Sequence, residues 1–164
     1  QWREYCLASV TTHDLPPTAG YLAGDHIRLQ HELGLLTESL ETELAAAEHD
    51  RATYLQTLRE RGFLTADPAT TEDIVQALHR YLVATPSRVL CASLTDAVGD
   101  RRTQNQPGTS TEYPNWRIPL SGPDGRPMSL EQLYTDERAF RLAGIMNDFS
   151  GPILLPRSET ELVV

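Results

Sequence analysis

The chain has 164 residues, 40% of them hydrophobic and 23% charged, which suits one domain with a real core and excludes a disordered segment. Its net charge is −9, which argues against nucleic acid, since phosphate-backbone binding needs clustered Lys and Arg. Neutral and cationic ligands stay open. No apolar stretch approaches the length that spans a bilayer, so no membrane partner is expected. The two cysteines, Cys6 and Cys91, both fall in apolar runs and read as buried thiols of a cytosolic, cytoplasmic protein rather than as a disulfide. The chain begins at Gln1, not Met, and is expected to be a piece of a longer protein, so the lack of a visible signal peptide excludes little.

Taken in order, the apolar run Tyr5 to Val10 predicts a buried strand, stopped by Pro16 and Pro17. It ends in Thr11-Thr12-His13-Asp14. In α/β sheets and barrels the carboxyl ends of strands are where ligands bind, so His13 and Asp14 stand where a site would be. The alternative is that Asp14 caps a turn before the prolines and His13 is ordinary surface. Leu15 to Gly24 reads as a loop. A helix is expected from Asp25, taken as its N-cap, to Gly34, carrying Ile27, Leu29 and Leu33. Ser39 opens a longer, charged helix from Leu40 to Arg61, with Leu40, Leu44, Ala47, Leu55 and Leu58 near one face.

Thr70 and Asp73 resemble a capping box, and the helix they open carries Ile74, Leu78, Tyr81 and Leu82 until Pro86 forbids continuation. Val89 to Leu94 is the second strand, followed by Thr95-Asp96 and Gly99-Asp100-Arg101-Arg102. Strands separated by helices are the signature of parallel βα units. A long polar loop spans 101–124 and contains Tyr113 and Trp116 among Asn, Gln and Arg. A loop of this length is functional or disordered, and its aromatics favour function. Rings pack on the apolar face of a sugar while amides bond its hydroxyls; equally, Trp116 would simply anchor the loop. Ser129 and Gln132 form a second capping box, and Asp136 caps a last helix bearing Phe140, Ala143, Ile145 and Met146. The tail, Gly151 to Val164, shows no pattern and is expected to fray.

Two stretches carry a resemblance: Val10-Thr11-Thr12-His13-Asp14-Leu15-Pro16, and Gly99-Asp100-Arg101-Arg102 through Asn105-Gln106-Pro107-Gly108-Thr109 to Glu112-Tyr113-Pro114-Asn115-Trp116-Arg117. Together they resemble the carboxyl-terminal part of bacterial 4-α-glucanotransferases, the amylomaltases or disproportionating enzymes related to α-amylases. The likeness runs over nearly the whole chain, loosest in residues 35–70 and the tail.

The resemblance implies a (β/α)₈ barrel that transfers α-1,4-glucan segments by a retaining double displacement, with maltodextrins as partners and no cofactor or metal. It implies that Asp14 is the third carboxylate of the family, binding hydroxyls of the distorted sugar and stabilising the transition state. His13 would bond the same sugar. Asn105, Pro107, Gly108, Asn115 and Trp116 would belong to the loop beside the donor and acceptor sites. The family pattern gives no catalytic role to Asp96 or Asp100, and the nucleophile and acid/base fall outside this chain.

A whole barrel takes about 250 residues. Residues 1–164 therefore read as one segment that is α/β by parentage, the last βα units of the barrel, apparently its seventh and eighth strands. Alone it would be predominantly helical with about two short strands, and catalytically inactive. Its bare edges and apolar faces predict self-association or rearrangement.

Two other readings compete. One is a non-catalytic helical module that binds a protein or a sugar. The other is a metal-dependent hydrolase using His13, Asp14, His26 and His31, but His26 and His31 are not spaced to share a helix face.

Overall fold

The computed structural model describes residues 3–147; the tail expected to fray lies outside them. In chain order the elements are β1 (Leu7–Ser9), α1 (Thr18–Ala23), α2 (Asp25–Glu32), α3 (Leu40–Glu60), α4 (Thr71–Val83), β2 (Val89–Cys91), α5 (Leu94–Val98), α6 (Leu130–Leu133) and α7 (Glu137–Asn147). The described residues are thus mostly helical with two short strands. None of their helices is long and apolar enough to cross a membrane.

The strands pair in parallel, Leu7 opposite Val89 and Ser9 opposite Cys91, as the helices between them require. Both are shorter than expected, and only one side of the pair is covered. Ala8 is buried, whereas Leu7 is 63% and Val89 54% exposed. A parallel pair normally has helices on both faces; here the second face is bare. That also corrects the thiol reading: both cysteines are free, but Cys91 is exposed and Cys6 only half-buried.

Asp96 locks the carboxyl ends of the strands together. It is buried and accepts from the Thr18 backbone N–H (2.7 Å), the Thr18 hydroxyl (3.1 Å) and the Thr11 hydroxyl (3.2 Å). One carboxylate thereby ties the end of β1, the start of α1 and the first turn of α5.

The 15–24 stretch contains α1, contrary to the loop reading, and Asp25 is not a cap. Gly24, at φ 71°, ends α1 and begins α2, so the two helices meet at a left-handed corner that glycine enters without steric cost. The Asp25 carboxylate instead takes a bidentate pair from Arg101 (2.7 and 2.8 Å). Both capping boxes are present, Thr70 with Asp73 and Ser129 with Gln132, each satisfying two orphan groups at a helix start.

The core cluster is Leu22, Leu58, Leu64, Ile74 and Ala77, with Tyr54, Leu55, Phe63, Leu78 and Tyr81 packed against it. Of the apolar face predicted for α3, Leu58 alone is buried, because only the last part of that helix reaches α4. On α7 the buried residue is Leu142. Phe140, placed on the inner face by the sequence pattern, is 62% exposed and lines an open apolar groove with Leu133, Tyr134 and Met146.

Candidate functional site

The parallel register sends both chain exits to the same edge of the sheet. β1 exits into Thr11–Asp14 and β2 into Ser93 and α5, and the 101–124 loop then folds back over that edge. Two features hold the loop in shape. At its base Asp100, 0% exposed, accepts from the Arg102 backbone N–H (3.0 Å), Arg102 Nε (3.1 Å), Arg102 Nη2 (2.9 Å) and the Ser121 N–H (2.9 Å). Burial opposes ionisation of Asp100, but the hydrogen bonds from Arg102 and Ser121 and the guanidinium charge outweigh it, so its pKa lies below the ordinary carboxylate value. Arg102 also donates to the Pro119 carbonyl (2.6 Å), which closes the loop's two ends.

Inside the loop, Asn115 Oδ1 accepts from the Gln106 N–H (2.8 Å) and Asn115 Nδ2 donates to Thr109 Oγ1 (2.9 Å). The Tyr113 hydroxyl donates to the Thr103 carbonyl (2.7 Å). Trp116 adopts φ 62°, the one non-glycine residue at positive φ among those described, and its N–H donates to the Gln104 carbonyl (2.9 Å). The loop reading is therefore an ordered one.

This loop meets the end of β1 at two points. Asn105 Nδ2 donates to Asp14 Oδ1 (2.7 Å). The Trp116 indole lies against the His13 ring, with centroids 5.1 Å apart and planes at 45°. His13 Nε2 is 3.2 Å from Asp14 Oδ2. Four residues singled out in the sequence, His13, Asp14, Asn105 and Trp116, thus form one cluster, and all but Asn105 are exposed. Of the other three, Asn115 has its amide engaged within the loop. Pro107 lines a separate small depression shared with Asp14, and Gly108 lies against Leu35.

A cavity of about 530 Å³ opens beside the cluster, lined by Thr12, His13, Trp116 and Gln104 together with Leu7, Cys91 and Leu94. Thr11, Thr12 and Gln104 had not been singled out. Gln104 carries a buried Nε2 with no partner, a feature that sequence does not display. A carboxylate, an imidazole, amides and an exposed indole converge here, the groups that bond hydroxyls and pack on the apolar face of a sugar ring. Among the described residues no three His, Cys, Asp or Glu side chains gather as a metal site would require.

Comparison with known proteins shows the family of the chain. A family model described as 4-α-glucanotransferase matches residues 1–124. The 4-α-glucanotransferase of Mycobacterium tuberculosis is 64% identical over 145 residues, covering 87% of this chain and 20% of that protein. The Haemophilus influenzae 4-α-glucanotransferase is 27% identical over 136 residues, covering 78% of this chain and 20% of that protein. The crystal structure of amylomaltase from Corynebacterium glutamicum superposes with a TM-score of 0.81 at 38% identity, covering 88% of this chain and 22% of that one. The chain belongs to the 4-α-glucanotransferase family, and it spans about one fifth of the length of these relatives.

Proposed function

We propose that this chain is the carboxyl-terminal part of a 4-α-glucanotransferase catalytic barrel, with residues 1–164 forming one continuous segment and β1 and β2 the last strands of the barrel. The observation that carries the reading is the edge itself: two parallel strands whose carboxyl ends deliver Asp14 and His13 under a loop that contributes Asn105 and Trp116. The bare face of the strand pair, with Leu7 and Val89 exposed, suits a sheet continued by strands from outside this segment.

In that setting an α-1,4 bond of a maltodextrin breaks in two steps. A nucleophilic carboxylate outside this segment displaces the leaving 4-oxygen, which takes a proton from a second carboxyl group, also outside it. The 4-hydroxyl of an acceptor sugar then displaces the enzyme carboxylate and returns its proton to the second group, so configuration is retained. Asp14 does no covalent chemistry. Its carboxylate accepts from sugar hydroxyls at the cleavage point and steadies the positive charge that develops on the ring. The Asn105 amide fixes one carboxylate oxygen, and His13 is held between Asp14 and the Trp116 ring, which leaves the indole free to stack on a sugar. Asn115 and Gly108 shape the loop beside the donor and acceptor sites, and Pro107 lies in the same loop.

The test is maltotriose disproportionation by the full-length enzyme carrying Asp14→Asn. Loss of one preorganised transition-state contact lowers kcat by about 10²–10³. Near-normal turnover in a folded variant would remove Asp14 from the site and return the reading to a strand-end turn in a binding module.

A further inference from the structure

The Thr11–Thr18 segment carries Asp14 between two held ends. Thr12, His13, Asp14 and Leu15 are all exposed, so core packing does not set their position. Within the segment the Leu15 N–H donates to the Thr12 carbonyl (3.2 Å), and Pro16 and Pro17 restrict φ on the return to α1. The placement of the Asp14 carboxylate is then left to the Asn105 amide and to whatever grips the two ends of the segment.

Asp96 grips both ends. Its Oδ1 accepts from the Thr18 N–H (2.7 Å), and its Oδ2 accepts from the Thr18 hydroxyl (3.1 Å) and the Thr11 hydroxyl (3.2 Å). One oxygen thus joins the first and last residues of the segment. Asp96 is itself held: its backbone N–H donates to Ser93 Oγ (3.1 Å), and that hydroxyl lies 3.2 Å from the Thr11 hydroxyl. A buried carboxylate is tolerated only when hydrogen-bonded, and here all three bonds come from the segment that bears Asp14. Asp96 is 4% exposed and does not line the cavity beside His13 and Trp116, so it reaches no sugar there.

We propose that Asp96 is a positioning residue for Asp14: by closing the Thr11–Thr18 segment on itself, it sets where the Asp14 carboxylate stands above the strand ends. The inference rests on the reading of Asp14 as the transition-state carboxylate, and it adds a group that acts without touching substrate. A reacting constellation works only when its supports hold it in place, and a misplacement of about 1 Å lowers the rate about 10²-fold. Because the Asp14 contact is made fully only in the transition state, the loss falls on kcat and leaves KM little changed.

The experiment measures maltotriose disproportionation by the full-length enzyme carrying Asp96→Ala, Asp96→Asn or Thr11→Val, each alone and combined with Asp14→Asn. Asp96→Asn keeps the Thr18 N–H on Oδ1, and its amide donates to the two hydroxyls, which accept as well as donate, so the closure survives. The expected result is a kcat lowered about 10²-fold in Asp96→Ala and about tenfold in Thr11→Val, with KM changed less than about twofold and Asp96→Asn within about threefold of wild type. In the Asp14→Asn background Thr11→Val should add less than about twofold, because the carboxylate it helps to position is gone. A loss that persists there at full size marks a direct sugar contact or a general weakening of the fold, and overturns the inference. Thr11→Val deletes one half-buried hydroxyl and decides the question if Asp96→Ala does not fold. If Asp14→Asn loses its turnover while Thr11→Val keeps wild-type kcat, the parent reading stands and this one falls. Near-normal turnover by Asp14→Asn overturns both.

Discussion

Replacing Asp100 by Asn tests whether the site is built from the base of its loop. The change keeps shape and removes charge. Asn Oδ1 can keep the two bonds that Asp100 Oδ1 accepts, from the Arg102 backbone N–H and Nε. The new amide N–H₂ then faces two donors, Arg102 Nη2 and the Ser121 N–H. The lost charge-assisted bond is worth about 1.5–3 kcal/mol and the stranded Ser121 N–H about 1–3 kcal/mol. Arg102 is 34% exposed and can rehydrate, so the lower ends apply and the total is about 2.5 kcal/mol. That energy falls on the loop base, so local opening should become about 60-fold more frequent. Hydrogen–deuterium exchange over residues 101–121 of the full-length enzyme reads this directly. A rise of less than about threefold at neutral pH would refute the reasoning. The same anchor has a defined acid limit. The folded pKa of Asp100 lies below the unfolded value, which is about 3.9. Its contribution is complete above that value and disappears as pH falls through the lower, folded value. Wild-type loop protection from this anchor should therefore hold at pH 5–7 and erode only below about pH 4.

Two further outcomes are expected. Asn115→Ala in the full-length enzyme strands the buried Gln106 N–H and should lower kcat/KM for maltotriose by about tenfold; Asn115→Asp, which keeps the acceptor, should recover part of the loss, and equal loss in both would count against a loop-shaping role. The isolated 164-residue chain should self-associate in sedimentation velocity and fail to convert maltotriose, because Leu7, Val89, Leu94 and Phe140 are all more than half exposed. A strictly monomeric species, or one that makes glucose and longer sugars, would contradict this.

The parallel pairing was legible because helices separate two apolar runs, and the capping boxes were legible because they are local. What was lost depends on contacts across the chain. α1 was hidden by Gly20 and by the prolines before it. Gly20 weakens a helix pattern, yet the structure shows why it is there: an added Cβ would collide with the Arg101 carbonyl. α5 was hidden by an apolar run that continued through Leu94. The Ser93-Leu94-Thr95-Asp96 spacing was the available signal, since the Ser93 hydroxyl accepts from the Asp96 N–H (3.1 Å), as an N-cap does. The burial of Asp96 and Asp100 could not be read at all. A carboxylate enters a core only with partners to satisfy it, and those partners, Thr11, Thr18 and Ser121, lie up to 85 residues away.

The site follows the same division. His13 and Asp14 stood out because a strand ended there, but nothing local says that Asn105, 91 residues on, meets Asp14. That contact depends on the loop's own closure, in which Arg102 bonds the Pro119 carbonyl and Asn115 holds the Gln106 N–H. Trp116 shows the cost of the arrangement. A non-glycine residue at φ 62° carries about 1–2 kcal/mol of strain, which the Gln104 carbonyl and the neighbouring Asn115 clamp offset. In this conformation the indole lies against His13 and stays exposed. Relaxing Trp116 to negative φ would release that energy but break the geometry that sets a ring beside Asp14. The loop's hydrogen bonds hold a conformation that local propensity disfavours, at the edge where the two strands end together and the candidate site lies.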